Sequence, residues 1–183
     1  KTENTGLTII ELEGKKDSAL MFELENNRGK ELTNMEKIKS YFMYQMYVYS
    51  TPKEVEVNIE SISNIFKLIY LIINDLKKIN EDSILIYHNN AYIKGFAYRT
   101  LDDVKDDFKS SDNKIEWIKS YVEELHTTFS NVKKFEMSND LFAQRLNQLG
   151  TPAFIYPFII KGYKYFVEDE TKLNQLFNVL EVI

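Results

Sequence analysis

Apolar residues recur along much of this chain at intervals of three and four, the signature of helices that bury one face. The widest stripe follows Pro52 and runs through Ile59, Ile62, Ile65, Phe66, Ile69, Ile72, Ile73 and Leu76. It predicts a deeply packed helix. Pro52 fits its first turn with Ser50 or Thr51 as cap, and Lys77 and Lys78 suit its C-terminal end. Upstream, Thr33-Asn34-Met35-Glu36 has the spacing of a capping box and opens a short helix with Met35, Ile38 and Phe42 on one side. Downstream, the pattern predicts a short acidic helix from Thr100 to near Lys109 and a longer one carrying Ile115, Ile118, Tyr121, Val122 and Leu125, capped by Asp112. Ser138-Asn139-Asp140 caps a helix that ends at Gly150, and residues 169–171 cap a last one with Leu173, Leu176, Phe177 and Leu180.

Other stretches read as strands. "YQMYVYS" at 44–50 is rich in aromatic and β-favouring residues. "SILIYH" at 83–88 is a nearly continuous apolar run, as in a strand covered on both faces. "AFIYPFII" at 153–160 and "YKYFV" at 163–167, joined by Lys161-Gly162, predict a hairpin with a bulge or edge at Pro157. Residues 132–137 suggest a short extended segment. Residues 1–40 read as an N-terminal arm or short extension, in which 7–12 and 20–24 are either edge strands or part of a mobile arm. Residues 41–183 form the expected domain. Its order is β-α-β, a helical insertion, α, a β-β hairpin and a closing α. No internal repeat or low-complexity segment interrupts it.

Two junctions carry a resemblance. "LGTPAFI" at 149–155 resembles the cis-proline loop of thioredoxin-like proteins, especially the DsbC-type disulfide isomerases. "VYSTPKEV" at 48–55 stands where thioredoxins place Cys-x-Pro-Cys, with Ser50 and Lys53 at the two cysteine positions. Together with "NDLFAQRLNQLGTPAF", these features resemble the TrbC-type proteins of type-F conjugative pilus assembly and, in the C-terminal half, the TraF-type transfer proteins. The resemblance implies an α/β, thioredoxin-like fold with a helical insertion between the second strand and the cis-Pro hairpin. It implies a redox-inactive scaffold in a type IV secretion or conjugation apparatus, in the periplasm or cell envelope. The alternative is a thiol-independent chaperone or substrate-holding domain. Ser50, Thr51, Pro52, Thr151 and Pro152 are the expected partner-binding groove, with Thr151 the leading backbone contact.

Composition narrows the chemistry. The 183 residues contain no cysteine, so thiol–disulfide exchange and cysteine-ligated metals are excluded. The cysteine positions are taken as natively empty. His88 and His126 have no ligand-spaced partners, and His88 reads as a satisfied histidine at the core edge. A net charge of −5 disfavours nucleic acid and anionic membranes as partners. No apolar run reaches membrane-spanning length. No cofactor, metal or catalytic residue is expected. Asp102, Asp103, Asp106 and Asp107 fit a solvated helix face better than a Ca²⁺ loop. Trp117 and the aromatic cluster from Tyr41 to Tyr49 read mainly as packing. The chain opens at Lys1, consistent with removal of a leader.

Overall fold

A computed structural model describes residues 32–93 and 101–182. The expectations for 7–12 and 20–24 fall outside those residues. The described residues form eight α-helices and one 3-10 turn, with no strand among them. The helices are α1 (Asn34–Tyr49), α2 (Val55–Asp75), α3 (Glu81–Tyr92), α4 (Leu101–Ser110), α5 (Lys114–Glu136), α6 (Leu141–Leu149), α7 (Tyr156–Tyr165) and α8 (Glu170–Glu181). The turn is Ala153–Ile155. The thioredoxin-like α/β fold is therefore overturned: a sheet is the element on which that fold depends, and every segment expected to supply it is helical.

Local chemistry explains the helix ends. Thr33 and Glu36 close a complete capping box, with Glu36 N donating to Thr33 Oγ1 at 3.2 Å and Thr33 N to Glu36 Oε2 at 2.8 Å. Asn80 accepts from Ser83 N at 2.8 Å, and Asp140 from Phe142 N and Ala143 N at 3.0 and 2.9 Å. Asn113, rather than Asp112, caps α5. Asp169 caps α8. Each such bond satisfies an amide that the helix cannot pair itself and contributes roughly 1 kcal/mol. Gly150 ends α6 at φ +82°, a left-handed position that a Cβ would strain.

The expected strands fail for identifiable reasons. "YQMYVYS" has no breaker before it, so α1 continues through it and places Met35, Ile38, Phe42 and Met46 in the core at helical spacing. "SILIYH" follows the Asn80 cap and buries Ile84, Leu85 and His88 on one helix face. Pro157 lies in the first turn of α7, where its missing N–H costs nothing. Gly162 is not a hairpin turn. It lies inside α7 at a close crossing with α8, where an added Cβ would come within 2.4 Å of Leu176 Cδ2. Residues 132–136, expected to be extended, are the last turns of α5.

Helix α5 is the hub and packs against α1, α2, α3, α4, α6 and α7. Most of it lies in one large core with Phe42, Phe66, Ile69, Leu125 and Phe129 fully buried. Its last turn supplies Phe135 to a second, smaller core with Ala143, Leu146, Ile159, Phe177 and Leu180. The C-terminal ends of α2 and α5 meet through Lys133 Nζ and Asp75 Oδ2 at 2.6 Å and through Lys77 N and Glu136 Oε2 at 3.3 Å.

Candidate functional site

The five residues expected to line one groove lie in two places. Ser50, Thr51 and Pro52 form the corner between α1 and α2. There Asn58 Nδ2 donates to Ser50 Oγ at 2.9 Å and Thr51 Oγ1 donates to Glu54 Oε2 at 2.7 Å. Thr151 lines a pocket with Lys78 and Ile79, just beyond the other end of α2. Helix α2 has 21 residues, which at 1.5 Å rise separates the two places by roughly 30 Å. They cannot form one groove. Pro152 is exposed and begins the 3-10 turn, and no peptide bond among the described residues is cis, so the expected cis-proline loop is absent.

The pocket around Thr151 has a volume of about 250 Å³ and includes Lys78, Asn80, Tyr87, Asn147, Thr151 and Tyr156 in its lining. Three elements meet there: the capped N-terminus of α3, the end of α6 and the start of α7. Tyr87 and Tyr156 stack face to face, with ring centroids 4.4 Å apart and planes 4° from parallel. Burial pushes the Tyr156 phenol up to about 12, so it stays protonated. Asn147 is committed to Phe135 O at 2.9 Å, and Thr151 Oγ1 donates to Leu146 O at 3.1 Å. These bonds hold the turn after α6 against the body of the protein.

The end of α6, the turn after it and α7 also carry exposed apolar side chains. Leu149 is 75% exposed, Phe154 60%, Phe158 51% and Tyr165 68%. In α7 the buried positions are Tyr156, Ile159, Ile160 and Gly162. Phe158 and Tyr165 are seven residues apart, two helical turns on the opposite face. Reading 153–160 as a strand concealed this face. A helical reading of the same letters separates Ile155, Ile159 and Ile160 from Phe154 and Phe158.

A second polar cluster lies inside the bundle, between α3, α5 and α7. His88 Nδ1 is 2.8 Å from Thr128 Oγ1, and Tyr121 OH donates to Asn89 Oδ1 at 2.6 Å. Asn131 Nδ2 donates to Ile160 O at 3.5 Å. His88 sits mid-helix and fully buried, not at a core edge, with the Tyr92 ring stacked on it at 4.7 Å. Its Nε2 has no hydrogen-bond partner among the described residues. Burial, then the nearby Lys161 and Lys164 charges, lower its pKa to about 3 and keep the ring neutral. The Thr128–His88 pair has the elements of an activated hydroxyl, but both residues are shut off from solvent. Its position is that of a structural pair.

Among the described residues no three His, Asp or Glu side chains converge as a metal site, and no helix is long and apolar enough to cross a membrane. The acidic residues of α4 lie on a solvated helix: Asp106 pairs with Lys109 at 2.8 Å, and Asp107 accepts from Trp117 Nε1 at 3.2 Å. Comparison of the chain with protein-family models, with curated proteins and with solved structures finds no match.

Proposed function

We propose that this chain is a helical binding module that acts through contacts with another protein, made by the turn after α6 and the outer face of α7. The observation that carries this reading is the exposure of Leu149, Phe154, Phe158 and Tyr165 on the end of α6, the turn after it and α7. Exposed aromatic residues are enriched in the central part of a protein interface. Thr151 and Pro152 remain in the proposed site, while Ser50, Thr51 and Pro52 do not. The expectations of a pilus-assembly scaffold, a substrate-holding chaperone and an envelope location depend on a thioredoxin-like resemblance that the fold no longer supports. The proposal keeps only their common element, action by protein contact.

The test is site-specific photocrosslinking in the native host. A benzophenone side chain at Phe158 is expected to trap one discrete protein adduct. The same group at exposed Glu123 on α5 is expected to trap none. Equal adduct patterns at both positions, or none at either, would sink the reading.

A further inference from the structure

Lys161 lies on α7 between Phe158 and Tyr165. Its Nζ sits 3.6 Å from the centroid of the Tyr92 ring and 5.9 Å from that of Tyr165. The neighbouring ammonium, Lys164, is neutralised by Glu124 Oε1 at 2.6 Å. Lys161 has no carboxylate within ion-pairing distance among the described residues. Burial and the Lys164 charge hold its pKa below the ordinary lysine value, against the partial compensation of the Glu124 carboxylate that Lys164 already engages. The ring contact fixes the ammonium in place, so a partner loses little entropy in ordering it.

The geometry points to an amphipathic helix as the occupant of this face, one that carries a carboxylate among its apolar side chains to pair with Lys161. This inference rests on the reading of α7 as the contact face. Two observations select the occupant. Among the described residues the Lys161 charge has no ion-pair partner and lies against the exposed Tyr165 ring one helical turn from exposed Phe158, so its complement is a carboxylate within an apolar stripe. The backbone amides and carbonyls of α7 are bonded within their own helix, so no strand can add to it and contact is made through side chains.

The experiment uses the full chain and two labelled 18-residue helical peptides. Both have leucines at three- and four-residue spacing, and one has Glu, the other Lys, at the central position. Fluorescence anisotropy is expected to show the Glu peptide binding about tenfold more tightly. Lys161→Glu is expected to invert the preference, and Lys161→Met, which retains the stem, to abolish it. Circular dichroism confirms that each variant keeps its helices. If both peptides bind equally, and Lys161→Glu changes nothing, the acidic partner is refuted while the contact face stands. If neither peptide binds and Phe158 traps no adduct, both readings fail. A concentration-dependent dimer in sedimentation that Phe158→Ser abolishes would assign the face to a second copy of the chain and overturn the inference.

Discussion

The two cores of this protein differ in how completely their helices close around them. Helices α1 to α4 and most of α5 surround the larger core, where Phe42, Phe66, Phe108 and Phe129 leave at most 1% of their surface exposed. The smaller core sits under α6, α7 and α8. Its helices bury Phe135 and Phe177, yet leave Leu141, Leu149, Phe154, Phe158, Tyr165 and Val179 substantially exposed. In the first region five helices enclose these rings, and only Tyr49 among its aromatic residues ranks as exposed, together with the aliphatic Val48, Val57, Leu68 and Leu71. In the second, α7 packs on α3, α5 and α8, and among the described residues Phe158 and Tyr165 on its other face stay exposed. Fully buried aromatic rings thus concentrate in the first region and most of the exposed ones, Phe154, Phe158 and Tyr165, in the second.

That division is open to direct attack. The largest effect is expected from Phe66→Ala in the larger core, about 3–5 kcal/mol of lost stability in chemical denaturation. A much smaller loss would show that the larger core is not the main source of stability. Next comes the His88 seam. Above pH 6.5 the ring is neutral in both states and adds no pH dependence. Between 6.5 and about 3 only the unfolded chain takes up the proton. Stability should therefore fall by about 1.4 kcal/mol for each unit that pH drops in that window. Melting curves of the wild type and His88→Asn should converge as pH falls from 7 to 4, and parallel curves would refute the buried neutral ring.

Smaller effects probe the second region. Gly162→Val places atoms where Leu176 already stands and should cost about 2 kcal/mol, partly recovered by adding Leu176→Ala. Asp140→Ala leaves the amides of Phe142 and Ala143 without their acceptor and should cost about 1 kcal/mol. Phe158→Ser should change stability by less than about 0.5 kcal/mol, because its ring is already half in water. It should nevertheless abolish partner contact. A large stability loss from Phe158→Ser would mean that the ring serves the fold, and the contrast between the two regions would collapse.

Much of the helical layout was legible in the letters. The Thr33–Glu36 box, the Asp140 and Asp169 caps, the Gly150 terminus and the α2 stripe all act within one or two turns, so neighbouring residues suffice to reveal them. The misread segments, 44–50, 83–88 and 153–167, share a different property. Each is a short run of apolar and aromatic residues whose local preference suits a strand as well as a buried helix. Nothing within six or eight residues separates the two. Of the candidate site, Thr151 and Pro152 were read as a partner-contacting loop, though as a cis-proline one that the structure lacks, whereas the aromatic face of α7 was hidden by the strand reading.

The sequence by itself determined where α1, α6 and α8 begin and where α6 ends, because capping bonds and the left-handed Gly150 are local events. It also determined that no thiol chemistry is possible. Only the tertiary structure decided that the ambiguous runs are helices, because α5 presents a helical surface on several sides and no strand among the described residues is available to pair with them. The same packing set Ser50 and Thr151 roughly 30 Å apart, at opposite ends of α2. It also turned Ile159 and Ile160 inward and left Phe158 and Tyr165 facing out. Burial of one face of α7 against α3, α5 and α8 is the physical reason: a helix that satisfies its own backbone is free to rotate until its best-fitting side chains meet the core.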